Sequence, residues 1–230
     1  MAVAPVPVPS LAERYAQLAA ARVERRPVDV ALRLLDLAIA SAGLVVFGPA
    51  ALVIAVAIRL SSGAPVLYRG QRVGRAGRIF TMAKFRTLVP DAEVRLGAYW
   101  GADLDRRTGS EVTRLGRWLR ATQLDEVPQL WNVIRGDMSI VGPRPIRPAI
   151  FDGLCEEIPN LWQRLVVRPG LTGFAQTRMG REPAWAEKLA HDLEYVADRS
   201  VGLYLRVVVA TFWRVVRQSL RGFVSVARRG

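Results

Sequence analysis

The sequence predicts an α+β protein, predominantly helical. A membrane-inserted helical hairpin is followed by a compact domain with a small β-hairpin and, at the C-terminus, an amphipathic interfacial helix. Three observations support this. Leu37 to Ile58, about 22 residues, carry no charge, a length that can cross a bilayer core. Residues 65–85 place two short β-prone runs around a Gly- and Arg-rich turn. Residues 203–230 repeat apolar and arginine positions with helical period.

Composition sets the outer limits. The chain has 230 residues, 51% of them hydrophobic, enough for one packed domain with an appendage. Its single cysteine, Cys155, excludes an internal disulfide and a cysteine-rich zinc site. The sole histidine, His191, lies far from it in sequence, and nothing local supports a Cys–His nucleophile pair. The formal net charge of +13, mostly arginine, suits nucleic acid, an anionic membrane surface or a phosphorylated substrate.

Residues 1–27 read as a mobile N-terminal extension. The first ten alternate Pro with Ala and Val and lack the basic start and apolar core of a secretory signal. Leu11 to Arg26 suits a short polar helix ended by Pro27. Residues 28–62 form the membrane segment, with Gly48-Pro49 at its centre. Proline there removes a helix hydrogen bond and clashes with the preceding turn, so a break is expected. Arg22, Arg25, Arg26 and Arg33 precede the apolar run; Arg59, Arg69, Arg72, Arg75 and Arg78 follow it. Positive charge marks the cytoplasmic side, and here it flanks both ends. A helix–break–helix that enters one leaflet and leaves by the same face satisfies both flanks; a kinked spanning helix is the alternative.

Residues 63–230 form the domain on that face, including the interfacial helix 201–230. Gly74 and Gly77 make only a fragment of a nucleotide-binding fingerprint, and there is no Walker-type lysine loop. Thr113 caps a helix running to Thr122. A second helix covers Val127 to Arg135, with Pro128 in its tolerant first turn. Residues 136–145 and 167–176 read as loops, 89–112 and 146–167 as variable segments, and Pro183 to Asp198 as a helix. In the last helix Arg206, Arg214, Arg217, Arg221 and Arg228 share an arc of roughly 80°. That helix either packs on its own domain or lies at the membrane surface with its arginines toward lipid phosphates.

Residues 124–132, LDEVPQLWN, set Asp125 beside Glu126 in a basic neighbourhood. One reading makes Asp125 a helix cap and Glu126 a favourable first-turn charge. The other makes an ionised Asp125 a nucleophile toward phosphorus, with its pKa lowered by the helix N-terminus. An anion attacking a diphosphate needs cations around it. Arginine, lysine and a divalent metal on one or two carboxylates would supply them. Lys84, Arg86, Arg120 and Arg144 are available, and Glu126 is the natural metal ligand or a base tuning its neighbour.

The run RLGRWLRATQLDEVPQLWNVIRGDMSIVGPRP, residues 114–145, closely resembles the signature of bacterial sugar transferases, the monotopic polyprenyl-phosphate phosphoglycosyl transferases. QRVGRAGRIFTMAKFRTL (71–88), RPGLTGFAQ (168–176) and DLEYV (192–196) support it in the family's order, over about residues 28–212. The resemblance implies a re-entrant membrane helix and a compact, mainly helical domain on the cytosolic face of the bacterial inner membrane. It implies Mg2+-dependent transfer of a sugar-1-phosphate from a UDP-sugar to polyprenyl (undecaprenyl) phosphate with release of UMP. Carried over by motif position, Asp125 is the nucleophile and Glu126 its partner at the metal, with Asp125 adjoining. Arg120 and Arg144 hold phosphate, and Lys84 and Arg86 fall in the same cationic pocket.

The chain departs from the family in two places. Larger relatives carry spanning helices ahead of this module, so the chain reads as close to the minimal catalytic form. Where the family often has an Asp near the C-terminus, this chain has Tyr204 in SVGLYL. Two rivals are a membrane-tethered nucleic-acid-binding protein and an inactive scaffold subunit of a polysaccharide complex. No base-reading helix supports the first, so no nucleic-acid partner is expected. The intact Asp125, Glu126, Arg120 and Arg144 weigh against the second. The sequence names neither the sugar nor the pathway, and it leaves a homodimer open.

Overall fold

A computed structural model of the chain describes residues 10–22, 26–96, 107–178 and 185–227. The tail 1–9, residues 97–106 of the first variable segment, the expected helix start at Pro183, and Arg25 and Arg228 lie outside them. The described residues are predominantly helical, as expected, with two small sheets. Helix α1 (Leu11–Ala21) is followed by α2 (Pro27–Ser62), strands β1 (Leu67–Val73) and β2 (Ile79–Phe85), α3 (Ala92–Leu96) and α4 (Arg114–Thr122). A 3-10 turn (Leu124–Glu126) leads into α5 (Gln129–Arg135), β3 (Ser139–Val141) and α6 (Pro148–Glu157). A second 3-10 stretch (Leu161–Val166) precedes β4 (Gly170–Thr172), α7 (Phe174–Arg178), α8 (Trp185–Asp198) and α9 (Val201–Ala227).

The expected hairpin is present: β1 and β2 pair antiparallel from Leu67↔Phe85 to Val73↔Ile79. The two stretches read as loops are not simply loops. Each contributes a three-residue strand, and β3 and β4 pair in parallel, Ser139 with Gly170 and Val141 with Thr172. Three glycines permit this. A Cβ at Gly142 or Gly170 would lie within 2.4 Å of the opposing backbone, and one at Gly173 within 2.6 Å of the Gly142 carbonyl. Residues 146–167, read as a variable segment, are α6 and the second 3-10 stretch.

Helix α2 corrects another expectation. It is one 36-residue helix with Pro49 inside it, not two helices separated at Gly48-Pro49. At 1.5 Å per residue it is about 54 Å long. Packing on both sides of the proline keeps it continuous: Leu32 and Ala40 enter the core of Leu130, Val133 and Tyr204, while Ile54 and Ile58 pack on Phe85 and Leu119. Both ends are also tied to the domain. Arg199 Nε donates to Asp29 at 2.7 Å near the start. At the finish the Arg86 guanidinium donates to the carbonyls of Ser62, Gly63 and Ala64. Between these anchors Val45, Val46, Leu52, Val53 and Val56 stay exposed. Asp36 fixes the helix's rotational phase: its Oδ1 accepts from Ser139 Oγ at 2.8 Å, Ile140 N at 2.8 Å and Tyr204 OH at 2.9 Å. Tyr204, the departure noted in the sequence, is thus a fully buried partner of α2.

The N-terminal extension also differs from expectation. Ser10 and Glu13 form a reciprocal capping box at the start of α1. Tyr15 and Ala19 enter a second core with Phe151, Leu154, Leu161 and Leu165, so the described part of the extension is docked rather than mobile. Its seat is the hairpin tip, where Gly77 has φ +73° and an added Cβ would lie 2.2 Å from Ala16 Cβ.

Gly77→Ala therefore combines a left-handed alanine with a clash against α1. It should cost about 2–3 kcal/mol. Limited proteolysis should show faster cleavage between α1 and α2 than in the wild-type protein.

Candidate active site

Asp125 and Glu126 sit in the 3-10 turn that joins α4 to α5. Gln123, in the left-handed region at φ 58°, ends α4 and redirects the chain into that turn. The approach of α4 is set by Gly116, where a Cβ would stand 2.1 Å from the Thr87 carbonyl. Thr113 caps the helix as expected, its Oγ1 accepting from Gly116 N at 2.9 Å. One turn beyond Gly116, Arg120 Nε donates to Thr87 Oγ1 at 2.9 Å. The other side of the turn is fixed by Asn132 of α5. Its Oδ1 accepts from Ala83 N at 3.0 Å and its Nδ2 donates to Thr81 O at 2.8 Å, occupying the free edge of β2. That contact places Lys84 opposite Glu126, and Lys84 Nζ donates to Glu126 Oε1 at 2.5 Å.

These groups open on a cleft of about 2200 Å³, lined by Asp125, Glu126, Lys84, Arg120 and Arg144 among others. Asp125 is only 8% exposed. Burial, and then the Glu126 charge, raise its pKa to about 6, against the pull of Lys84 and Arg120. The expected lowering by a helix N-terminus does not prevail. The residue lies in a three-residue turn with little dipole, and desolvation with a like charge beside it is stronger. Burial also opposes the charge on Glu126, but Lys84 and Arg144 outweigh it and hold that carboxyl below its usual range. The two neighbours are therefore pushed apart in acidity.

Of the six side chains singled out for the chemistry, five converge on the cleft as a polar group. Arg86 stands in the cleft wall, but its NH1 and NH2 donate to the α2 terminus: NH1 to Ala64 O at 2.8 Å, and NH2 to Ser62 O at 2.6 Å and Gly63 O at 2.9 Å. It is a clamp on the end of α2. Gly48 and Pro49 lie within α2, outside the polar group. Cys155 is buried with its thiol pushed up to about 12 by burial and nearby acids, and takes no part.

Sequence reasoning missed Arg164 and Asp192. Their side chains, 5% and 6% exposed, form a 2.8 Å ion pair. Arg164 NH2 also donates to the Arg144 carbonyl at 2.9 Å. The pair positions the loop that carries Arg144, and the acidic half was visible only as part of DLEYV. No cluster of three or more His, Cys, Asp or Glu gathers among the described residues. A metal here would rest on Asp125 and Glu126 with substrate phosphates. That donor set suits Mg2+, and the repulsion that lifts Asp125 is what a cation would relieve.

A family model described as bacterial sugar transferase matches residues 28–218. The UDP-N-acetylgalactosamine-undecaprenyl-phosphate N-acetylgalactosaminephosphotransferase of Aeromonas hydrophila is 37% identical over 192 residues, 82% of this chain and 43% of that protein. The UDP-glucose:undecaprenyl-phosphate glucose-1-phosphate transferase of Caulobacter vibrioides is 39% identical over 194 residues, 81% of this chain and 70% of that protein. The exopolysaccharide production protein ExoY of Rhizobium meliloti is 34% identical, covering 81% of this chain and 86% of that protein. The chain thus spans less than half of the first relative and about two thirds or more of the other two. Helix α1 precedes the residues that the family model matches.

The raised pKa of Asp125 makes its charge a burden on the fold. From 3.8 to about 6, at about 1.4 kcal/mol per unit, the burden is roughly 3 kcal/mol above pH 6. It disappears as both folded and unfolded forms protonate toward pH 4. Asp125→Asn should therefore raise the melting temperature at pH 7.5, with the gain shrinking steadily at acid pH. Scanning fluorimetry across pH checks this.

Proposed function

We propose, for a chain that belongs to the bacterial sugar transferase family, that it moves a sugar-1-phosphate from a UDP-sugar to polyprenyl phosphate and releases UMP. This would be an early membrane step in exopolysaccharide or related glycan synthesis. Relatives that carry undecaprenyl phosphate in their names support the acceptor class. The observation that carries the reading is Asp125: a buried carboxylate titrating near 6, ringed by Lys84, Arg120 and Arg144 in an open cleft.

In this reading an Asp125 oxygen attacks the sugar-side phosphorus of the donor. The bond from that phosphorus to the bridging oxygen breaks, and UMP leaves with the electron pair. The phosphosugar remains on Asp125 as an acyl phosphate. A phosphate oxygen of the lipid then attacks the same phosphorus and returns the carboxylate. The partly raised pKa is consistent with a nucleophile: ionised at pH 7, it is more basic than an ordinary aspartate. Lys84 holds Glu126 charged, while Arg120 and Arg144 lie where diphosphate oxygens need partners. Glu126, with Asp125 adjoining, would hold Mg2+, which when bound offsets the negative charge of the diphosphate.

The membrane arrangement follows from α2. Both of its ends are anchored to one body, so a crossing would require that body to lie on both sides of the bilayer. The exposed middle instead enters one leaflet and stays on the cytosolic side, bending at Pro49, which lacks the amide that would bond Val45. The arginines of α9 meet anionic headgroups beside it.

Asp125→Asn should abolish both donor-dependent UMP release and the sugar-phosphate adduct seen by mass spectrometry; normal turnover by this variant would overturn the assignment. In the wild-type protein, adduct formation should fall below about pH 6 as Asp125 protonates. Lys84→Met should move that limb to higher pH, because it removes the charge that lowers both carboxyls.

In a Cys155→Ala background, single cysteines at Arg26 and Ser61 should both react with an impermeant thiol reagent from the cytosolic face. Labelling of one from each side would establish a spanning helix.

A further inference from the structure

The cleft lining also includes an apolar stretch that the donor chemistry leaves unused. This wall is made by Phe47 of α2, Val66 before β1, Leu171 of β4, and Val208, Phe212 and Val215 of α9. One cation, Arg214, stands in this wall. Periodicity groups it with the arginines of the α9 polar face, but the structure separates them. Arg206 and Arg217 are exposed, whereas Arg214 is half-buried against the cleft. Among the described residues it has no hydrogen bond, ion pair or ring contact, and no carboxylate offsets the burial that lowers its pKa.

The turn of α9 that carries it is tied to β4. One turn earlier on α9, Thr211 Oγ1 and Thr172 Oγ1 of β4 are 2.7 Å apart and hydrogen-bonded. The Thr172 carbonyl in turn accepts from Gly142 N at 2.9 Å, two residues before Arg144. A short chain of bonds therefore sets Arg214 relative to the loop that carries Arg144. A partly desolvated guanidinium without an internal partner calls for an anion. An apolar wall beside it calls for a hydrocarbon attached to that anion.

We propose that Arg214 and the apolar wall around it form the acceptor subsite, with a polyisoprenoid phosphate seated phosphate-first on Arg214 and its first prenyl units along Phe47, Val208 and Phe212. This rests on the transfer reaction proposed above. The occupant is the phosphomonoester substrate rather than a bulk phosphodiester lipid. A monoester offers three terminal oxygens and up to two charges to a guanidinium fork. Bulk headgroups meet the exposed Arg206 and Arg217 outside the cleft. In the second half-reaction an oxygen of the seated phosphate bonds to the phosphorus on Asp125. The P–O bond to Asp125 breaks, and its electron pair returns to the carboxylate. The attacking oxygen is already anionic, so no proton is moved.

The test uses the full chain in nanodiscs, with a UDP-sugar that supports wild-type UMP release. Undecaprenyl phosphate is the acceptor. Arg214→Gln should give the wild-type UMP burst with donor alone, yet raise KM for undecaprenyl phosphate tenfold or more. Arg214→Lys should recover part of the loss, and Arg217→Gln should show none. The shift should be the same in discs of phosphatidylcholine alone and in discs with one-fifth phosphatidylglycerol. Equilibrium binding of undecaprenyl phosphate without donor should weaken by the same factor, a readout that holds whether or not a covalent intermediate forms. An unchanged acceptor KM and affinity, a burst lost in step with the chase, or a shift confined to phosphatidylglycerol discs would overturn the subsite. Absence of a donor-alone burst in wild-type protein would instead count against the covalent reading.

Discussion

The Lys84–Glu126 ion pair is the contact on which the arrangement of the site depends. Two adjacent carboxylates in a half-dry cleft cannot both stay ionised without a nearby cation, because their repulsion is barely screened there. Lys84 settles which of them holds its charge firmly, leaving Asp125 the more basic. For Lys84 to do this, β2 must lie against the turn between α4 and α5. Gly116 permits the approach on one side and Asn132 ties the strand edge on the other. The small β-hairpin is therefore the support for one ammonium group, and the helices around it are placed accordingly.

Burial is what makes this pair matter. A fully hydrated Asp–Glu turn would titrate in the usual range, and the basic residues around it would be screened to small effects. In the cleft the same residues act strongly, at a cost in stability carried by Asp125. Such a local cost is a common mark of a site shaped for chemistry rather than for folding.

Much of this was legible in the sequence, and the gaps have physical causes. The DE pair, Lys84, Arg120 and Arg144 could be read because their spacing within long motifs survives without knowing the fold. Arg86 does line the cleft, but a guanidinium serves phosphate and helix-end carbonyls equally well, and its bonds to Ser62, Gly63 and Ala64 could not be read from the motif. The β3–β4 pairing was missed because three-residue strands carry no periodic signal, and the glycines that permit it read equally as loop punctuation. Arg214 was grouped with its neighbours on a helical wheel, which records angle along one helix but not what faces it. The unbroken α2 shows the same limit: proline weakens a helix locally, and the packing on both sides decides whether it breaks.

The Asp36 hydrogen bonds have a mechanical consequence. With Ser139, Ile140 and Tyr204 all bonded to one carboxyl oxygen, α2 cannot rotate about its axis or slide along it without stripping a buried polar group of its partners. The distance between its greasy midsection and the reacting turn is consequently a constant of the molecule. In the proposed membrane arrangement a bilayer that thins or thickens would adjust around it, so leaflet thickness, rather than any motion of the protein, would set how far a lipid-borne substrate has to rise to be used.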